Sequence, residues 1–185
     1  MRRETPDRVY ITGAPGCGVT TLGRALADRI GAVAIDTDDH YWQPTDPPYQ
    51  VKLDVPERLK RIRAEQARTG RWVISGALET WGSDLLAEAQ LILFLEAPTE
   101  LRLERLRQRE AARFGNSILP GGPMYETHRY FLAWTAEYER GTQHGRSRPR
   151  HESWLSGVTR PVLRLDATRP VAEMVERVLA WAPGV

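Results

Sequence analysis

Lysine is nearly absent from this chain. Of its 26 basic residues only Lys52 and Lys60 are lysines, and the rest are arginines. Any cation recruited to hold an anion is therefore expected to be an arginine. Cysteine is scarcer still: Cys17 stands alone, which excludes an internal disulfide framework and fits a reducing compartment. No apolar run approaches the ~20 residues that a membrane-spanning helix needs. The opening stretch MRRETPDR also lacks the apolar segment of a secretory signal. A cytoplasmic protein without membrane contact is expected. Net charge is only +2, which leaves no global footprint for nucleic acid, so no nucleic-acid partner is expected. Repeats and domain linkers are missing as well. The 185 residues suit one domain, 1–185, long enough to bury a core and expected as a monomer or homodimer.

What is present is organised around Val9–Ala27, VYITGAPGCGVTTLGRALA. Val9-Tyr10-Ile11-Thr12 is a β-branched and aromatic run that reads as a buried strand. The run Gly13-Ala14-Pro15-Gly16-Cys17-Gly18 is too rich in glycine to continue it and forms a tight loop. From Val19, the apolar residues Leu22, Ala25, Leu26 and Ile30 recur at helical spacing. Strand, glycine loop and helix together make a phosphate-binding loop, because freed backbone amides and a helix N-terminus converge on one anion site. Against the pattern G-x-x-x-x-G-K-[ST], Gly13, Gly18 and Thr20 hold their places, while the lysine position is Val19. Cys17 sits where a helix N-terminus lowers a thiol pKa; the plainer reading, a small loop residue, is preferred.

Downstream, Ala32–Asp36 reads as a second strand ending in the carboxylates Asp36, Asp38 and Asp39. The proline-rich stretch from His40 to Tyr49 is a loop. Asp54 with Pro56 starts a helix that Gly70 ends. Trp72–Gly76 is a third strand and Asp84–Ala89 a short helix. The apolar run Leu91–Leu95 is a strand covered on both faces. Pro98 and Thr99 open a long arginine-studded helix, on which Arg102, Arg105 and Arg109 share a face and Arg113 follows a turn later. A loop from Asn116 to Pro123 and a helix from Tyr125 to about Arg140 come next. Residues 141–154 are arginine-rich without an apolar run and read as a mobile loop. Pro161–Leu165 is a fifth strand and Val171–Trp181 a closing helix. Alternating strands and helices predict an α/β, three-layer architecture around a parallel sheet.

Three blocks, GAPGCGVTTLGRALA, DTDD and LILFLEAPTELRLERLRQRE, resemble the small P-loop kinases, the group of shikimate, gluconate and adenylate kinases. The resemblance spans most of the chain. It implies a P-loop NTPase fold with a five-stranded parallel sheet of order 2-3-1-4-5 and a lid at about 102–122. It further implies a phosphotransferase using ATP or GTP with Mg²⁺ and a small hydroxylated or phosphorylated acceptor. Gly13, Ala14, Pro15, Gly16, Cys17, Gly18, Val19, Thr20 and Thr21 would cradle phosphate, with Arg105 and Arg169 completing the nucleotide site. Thr20 and Asp36 would serve Mg²⁺. Asp38 would orient or deprotonate the acceptor hydroxyl, lying on Asp36's side of an extended chain. Arg109 and Arg113 would meet the γ-phosphate, with Arg146, Arg148 and Arg150 as a second source of charge. Tyr41, Trp42, Glu79 and Trp81 would line the acceptor pocket. Ser75-Gly76-Ala77-Leu78 does not reproduce shikimate kinase's glycine triplet, so shikimate itself is not the expected acceptor. Val19 also admits a rival reading, a nucleotide-binding protein that has lost catalysis. Retention of Thr20, Asp36 and Asp38 argues against it, since a dead site need not keep metal ligands.

Overall fold

The computed structural model describes residues 6–181, so the first five residues of MRRETPDR lie outside it. Five parallel strands, β1 (Arg8–Gly13), β2 (Val33–Asp36), β3 (Trp72–Ser75), β4 (Leu91–Glu96) and β5 (Val162–Asp166), form one sheet. Its order is β2-β3-β1-β4-β5, as the resemblance implied. Val9 pairs with Val73 on one side and Leu91 on the other, so β1 is central. Alternation along β1 sends its side chains to opposite faces. Val9 and Ile11 join Leu22 and Leu26 of α1 (Val19–Ile30) and Val175 and Val178 of α7 (Val171–Leu179). Tyr10 joins Ile62 of α3 (Val55–Ala67) and Leu155 of α6 (Arg148–Ser156) on the other face. The result is three layers. No helix among the described residues is long and apolar enough to cross a membrane.

Local chemistry explains the boundaries. Asp54 caps α3 by accepting from the Glu57 amide at 2.8 Å, and Pro56 fills the first turn. α4 (Thr99–Phe114) follows Pro98, and α5 (Tyr125–Ala136) packs against it.

Four expectations need correction. Asp38 is not on an extended chain: Asp36 accepts from the Asp38 amide at 3.1 Å and caps a short helix, α2 (Thr37–Tyr41). Residues 148–154 of the supposed mobile loop belong to helix α6, which is capped by Ser147 and carries Pro149 in its first turn. Ion pairs of Arg148 with Glu96 and of Glu152 with Arg164 pin it to β4 and β5. The short helix after β3 is a single 3-10 turn, Ser83–Leu86. α5 ends at Ala136, four residues before the predicted stop at Arg140, where turns take over.

Candidate active site

The phosphate loop leaves the end of β1 and turns through Gly16 and Gly18, whose φ values are +86° and +87°. Gly18 caps α1 with no side chain, and an ideal Cβ built on it meets no atom within 4 Å. Among the described residues, the amides of Gly18, Val19, Thr20 and Thr21 donate to no protein acceptor. Four free donors, an α1 N-terminus and an open space beside a bare glycine make an anion cradle. Val19 is half-buried against the core and offers this cradle no polar group. Cys17 is buried, and that burial pushes its thiol up to about 11, against the pull of Arg102. The plain reading of Cys17 therefore stands.

Across the sheet, Asp36 pairs with Ser75, and Ser75 with Ile11 of β1. Two interstrand spacings of ~4.8 Å separate β2 from β1, which brings Asp36 and the α2 start to the phosphate loop's side of the molecule. Thr20 Oγ1 and Asp36 Oδ2 make no protein hydrogen bond among the described residues. Two oxygen donors fit a Mg²⁺ ion that keeps several waters, and no group of three or more His, Cys, Asp or Glu forms a closed metal cage among these residues.

Asp38, in the first turn of α2, stands among other side chains yet still reaches solvent. Enclosure by protein pushes its carboxyl above the usual range; Arg146 opposes this most strongly, ahead of Arg109, while Asp36 and Asp39 reinforce it. Thus the structure brings Arg109 to Asp38 and adds Arg146, from the segment read as a loose basic loop. Arg109 also pairs with Glu110 at 2.7 Å. Arg113 lies 5.3 Å from the Tyr49 ring, and Tyr49 in turn feels Asp38, Glu110 and Arg109. Tyr49 holds a φ of +67°, a strained backbone for a bulky residue.

Tyr41, Trp42 and Trp81 come together in one run of ring contacts, which Tyr49 joins. Tyr41 meets Trp42 at 5.0 Å and Trp81 at 5.9 Å between centroids, and Trp42 meets Tyr49. Sequence reading missed what holds the wall together. Arg58, only 6% exposed, stacks 3.8 Å from the Tyr41 centroid and 5.2 Å from that of Trp81. Its Nε donates to the Leu53 carbonyl at 2.7 Å, and its two terminal nitrogens have no protein acceptor among the described residues. A signal was present: Arg58 stands one helical turn before Ile62, on the stripe that faces the core.

Glu79 lies beneath the wall instead of lining it. Its Oε1 accepts from Tyr10 at 2.8 Å and from Thr12, and lies 3.4 Å from His151 Nε2. Burial pushes the Glu79 carboxyl up, but His151 and Thr12 outweigh it and leave it below the ordinary range. His151 Nδ1 meets the Tyr138 hydroxyl at 2.6 Å, so the network ties β1, the β3 loop and α6 together.

The supposed common face of lid arginines splits three ways. Arg102 is fully buried under the phosphate loop, Arg105 donates to the Ala167 carbonyl at 2.9 Å, and Arg109 faces the cleft at Asp38. Arg105 therefore does meet the loop after β5, which also carries the exposed Arg169. Arg148 is bound in ion pairs, and Arg150 donates to the Gly145 carbonyl.

A family model described as an AAA domain matches residues 9–116, more than half of the chain. The chain belongs to this family. This AAA-domain chain is 39% identical over 173 residues to the uncharacterized protein YqaC of Bacillus subtilis (strain 168), covering 94% of this chain and 96% of that one. It is 28% identical over 152 residues to shikimate kinase 2 of Pectobacterium atrosepticum, covering 74% and 83%. Among solved structures, a gluconokinase from Sinorhizobium meliloti 1021 aligns with a TM-score of 0.55 at 19% identity, covering 96% of this chain and 92% of that one. An unliganded sugar kinase from Janibacter sp. HTCC2649 aligns at 0.52 and 20% identity, covering 95% and 94%. These likenesses support a P-loop kinase, and the sheet order of the AAA-domain chain is the one such kinases were expected to share.

Proposed function

We propose that this protein transfers the γ-phosphoryl group of ATP or GTP to a hydroxyl of a small acceptor that also carries an acidic group. The observation that supports this reading is the charge around Asp38. Arg58, Arg113 and Arg146 have no carboxylate partner among the described residues, and all three lie about the Asp38, Tyr41 and Tyr49 cleft. Arg146 acts on Asp38, while Arg58 and Arg113 stand against Tyr41 and Tyr49; three such arginines in a near-neutral protein suit the binding of anions there. Arg58 is the most constrained, with its guanidinium plane fixed between rings and its outer edge open.

In this reading the free amides from Gly18 to Thr21 hold the donor's phosphates. Thr20 and Asp36 hold Mg²⁺ directly or through water, and the ion supplies charge neutralisation on the phosphates when bound. Asp38 accepts the proton of the acceptor hydroxyl as its oxygen bonds to the γ-phosphorus and the bond to the bridging oxygen breaks. Arg109 and Arg146, beside Asp38, offset the charge that gathers in the cleft. The aromatic wall holds the acceptor's body and excludes water.

The test is transfer from γ-labelled ATP to a panel of small hydroxylated compounds with and without a carboxylate or phosphate. Labelled product should form only with acidic acceptors, and Asp38→Asn should reduce its rate by at least ~10²-fold, the scale of general-base catalysis. Nucleotide that binds tightly while no acceptor is labelled would favour the non-catalytic reading.

A further inference from the structure

We propose that Arg102 is the cation of this phosphate loop: buried beneath it, Arg102 positions the loop and supplies the positive field that such loops otherwise draw from lysine. The proposal rests on the reading of Gly13 to Thr21 as the phosphate site.

Arg102 is 0% exposed, an unusual position for a charge. It occupies the core-facing row of α4, one turn before the buried Leu106 and two before the buried Glu110. Its Nη1 donates to the Pro15 carbonyl of the phosphate loop at 3.2 Å. Its Nε donates to the Ala97 carbonyl at 3.2 Å and its Nη2 to Thr99 Oγ1 at 2.9 Å, so the guanidinium is clamped on three sides. The Tyr138 ring closes over it, 5.0 Å from Cζ. A second contact joins the same helix to the same loop: a Cβ on Gly16 would lie 2.6 Å from the Arg102 carbonyl oxygen. The first turn of α4 and the loop thus fit as one unit, with the charge held behind the cradle.

That charge is weakly neutralised. Its one carboxylate partner among the described residues, Glu139, stands 3.3 Å away with its side chain 44% exposed, and is shared with Arg148 at 4.0 Å. Water screens the carboxylate side of this pair, while the side toward the loop is dry protein. A fixed cation in such a setting acts over a longer range than one in water. Its hydrogen bond to Pro15 also polarises the Pro15–Gly16 peptide, drawing electron density toward the carbonyl and away from the Gly16 amide. Val19, packed against the core, offers no competing charge.

A merely structural arginine and a field-supplying one differ in what rescues them. The experiment measures the affinity of a fluorescent ATP analogue with Mg²⁺, together with the melting temperature of the nucleotide-free protein. Arg102→Met should weaken binding at least tenfold and lower the melting temperature. Adding Val19→Lys to it should recover most of the affinity and none of the melting temperature. Glu139→Gln removes a half-exposed partner without opening the core, and should tighten binding at least twofold; this arm holds even where Arg102→Met does not fold. Wild-type affinity in folded Arg102→Met overturns the proposal, as does Glu139→Gln binding no better than wild type. A wild type that binds no nucleotide overturns the phosphate-site reading itself and this proposal with it.

Discussion

At the scale of single residues, arginine supplies nearly all of this protein's positive charge, and the partners of each arginine set it apart from the others. Arg148 and Arg164 are spent on Glu96 and Glu152 and hold α6 down. Among the described residues, Arg113 and Arg146 have no such partner. Arg113→Ala and Arg146→Ala are each expected to raise KM for the acceptor about tenfold or more, since hydrogen bonds to charged groups contribute ~1.5–3 kcal/mol. Nucleotide affinity should change little; steady-state kinetics with each substrate varied in turn separates the two. Glu79 is the residue whose charge matters to stability. Its carboxyl titrates below its unfolded value, so its contribution is present above the unfolded pKa and is lost as pH falls through the folded one. Urea unfolding should therefore show the wild type losing stability on acidification below about pH 4.3, the unfolded value for glutamate. Glu79→Gln should lose ~2–4 kcal/mol at neutral pH, because His151 is left beside a weaker partner, and should show a flatter pH profile.

At the scale of elements, the loop and the first turn of α4 behave as one piece. Two glycines test this from opposite sides. A Cβ at Gly18 meets nothing, so Gly18→Ala costs only its left-handed backbone, about 1–2 kcal/mol. The added methyl, however, enters the open cradle, and nucleotide affinity should fall. A Cβ at Gly16 collides with the Arg102 backbone, so Gly16→Ala carries the same backbone cost plus displacement of α4. Thermal unfolding without nucleotide should rank Gly16→Ala well below Gly18→Ala. Equal melting temperatures would show that loop and helix are not in mechanical contact. α6 is the other element of consequence: held by ion pairs, it carries His151 to Glu79, and the residues just before it carry Arg146 toward Asp38.

For the whole molecule, ligand binding and folding are linked. Mg²⁺-ATP or Mg²⁺-GTP at a hundredfold excess over Kd should add about 2.7 kcal/mol. For a chain of this size that is a rise in melting temperature of roughly 5 to 10 °C. A thermal shift series with each nucleotide measures it, and no shift at millimolar nucleotide removes the phosphate site. In an open parallel sheet of this order the expected place for such a ligand is at the carboxyl ends of the strands, where β1 passes into the glycine loop.

Much of this was legible in the chain because it depends on local patterns. Buried parallel strands need continuous apolar runs, and the glycine loop before Val19 needs backbone freedom, so β1, β4 and the phosphate loop can be read directly. The carboxylates at the end of β2 and the aromatics after them were legible as residue types, although the extended course assigned to Asp38 gave way to a helix capped by Asp36. Tertiary structure alone decided the destinations of the arginines. Arg102, Arg105 and Arg109 look alike on a helical wheel, yet one lies buried beneath the phosphate loop, one binds the loop after β5 and one faces Asp38. Arg58 and His151 likewise gained their roles only when α3 and α6 packed on one face of the sheet. Periodicity determines which side of a helix a residue takes, but a charge is given its function by the groups that the fold places around it, and those come from distant parts of the chain.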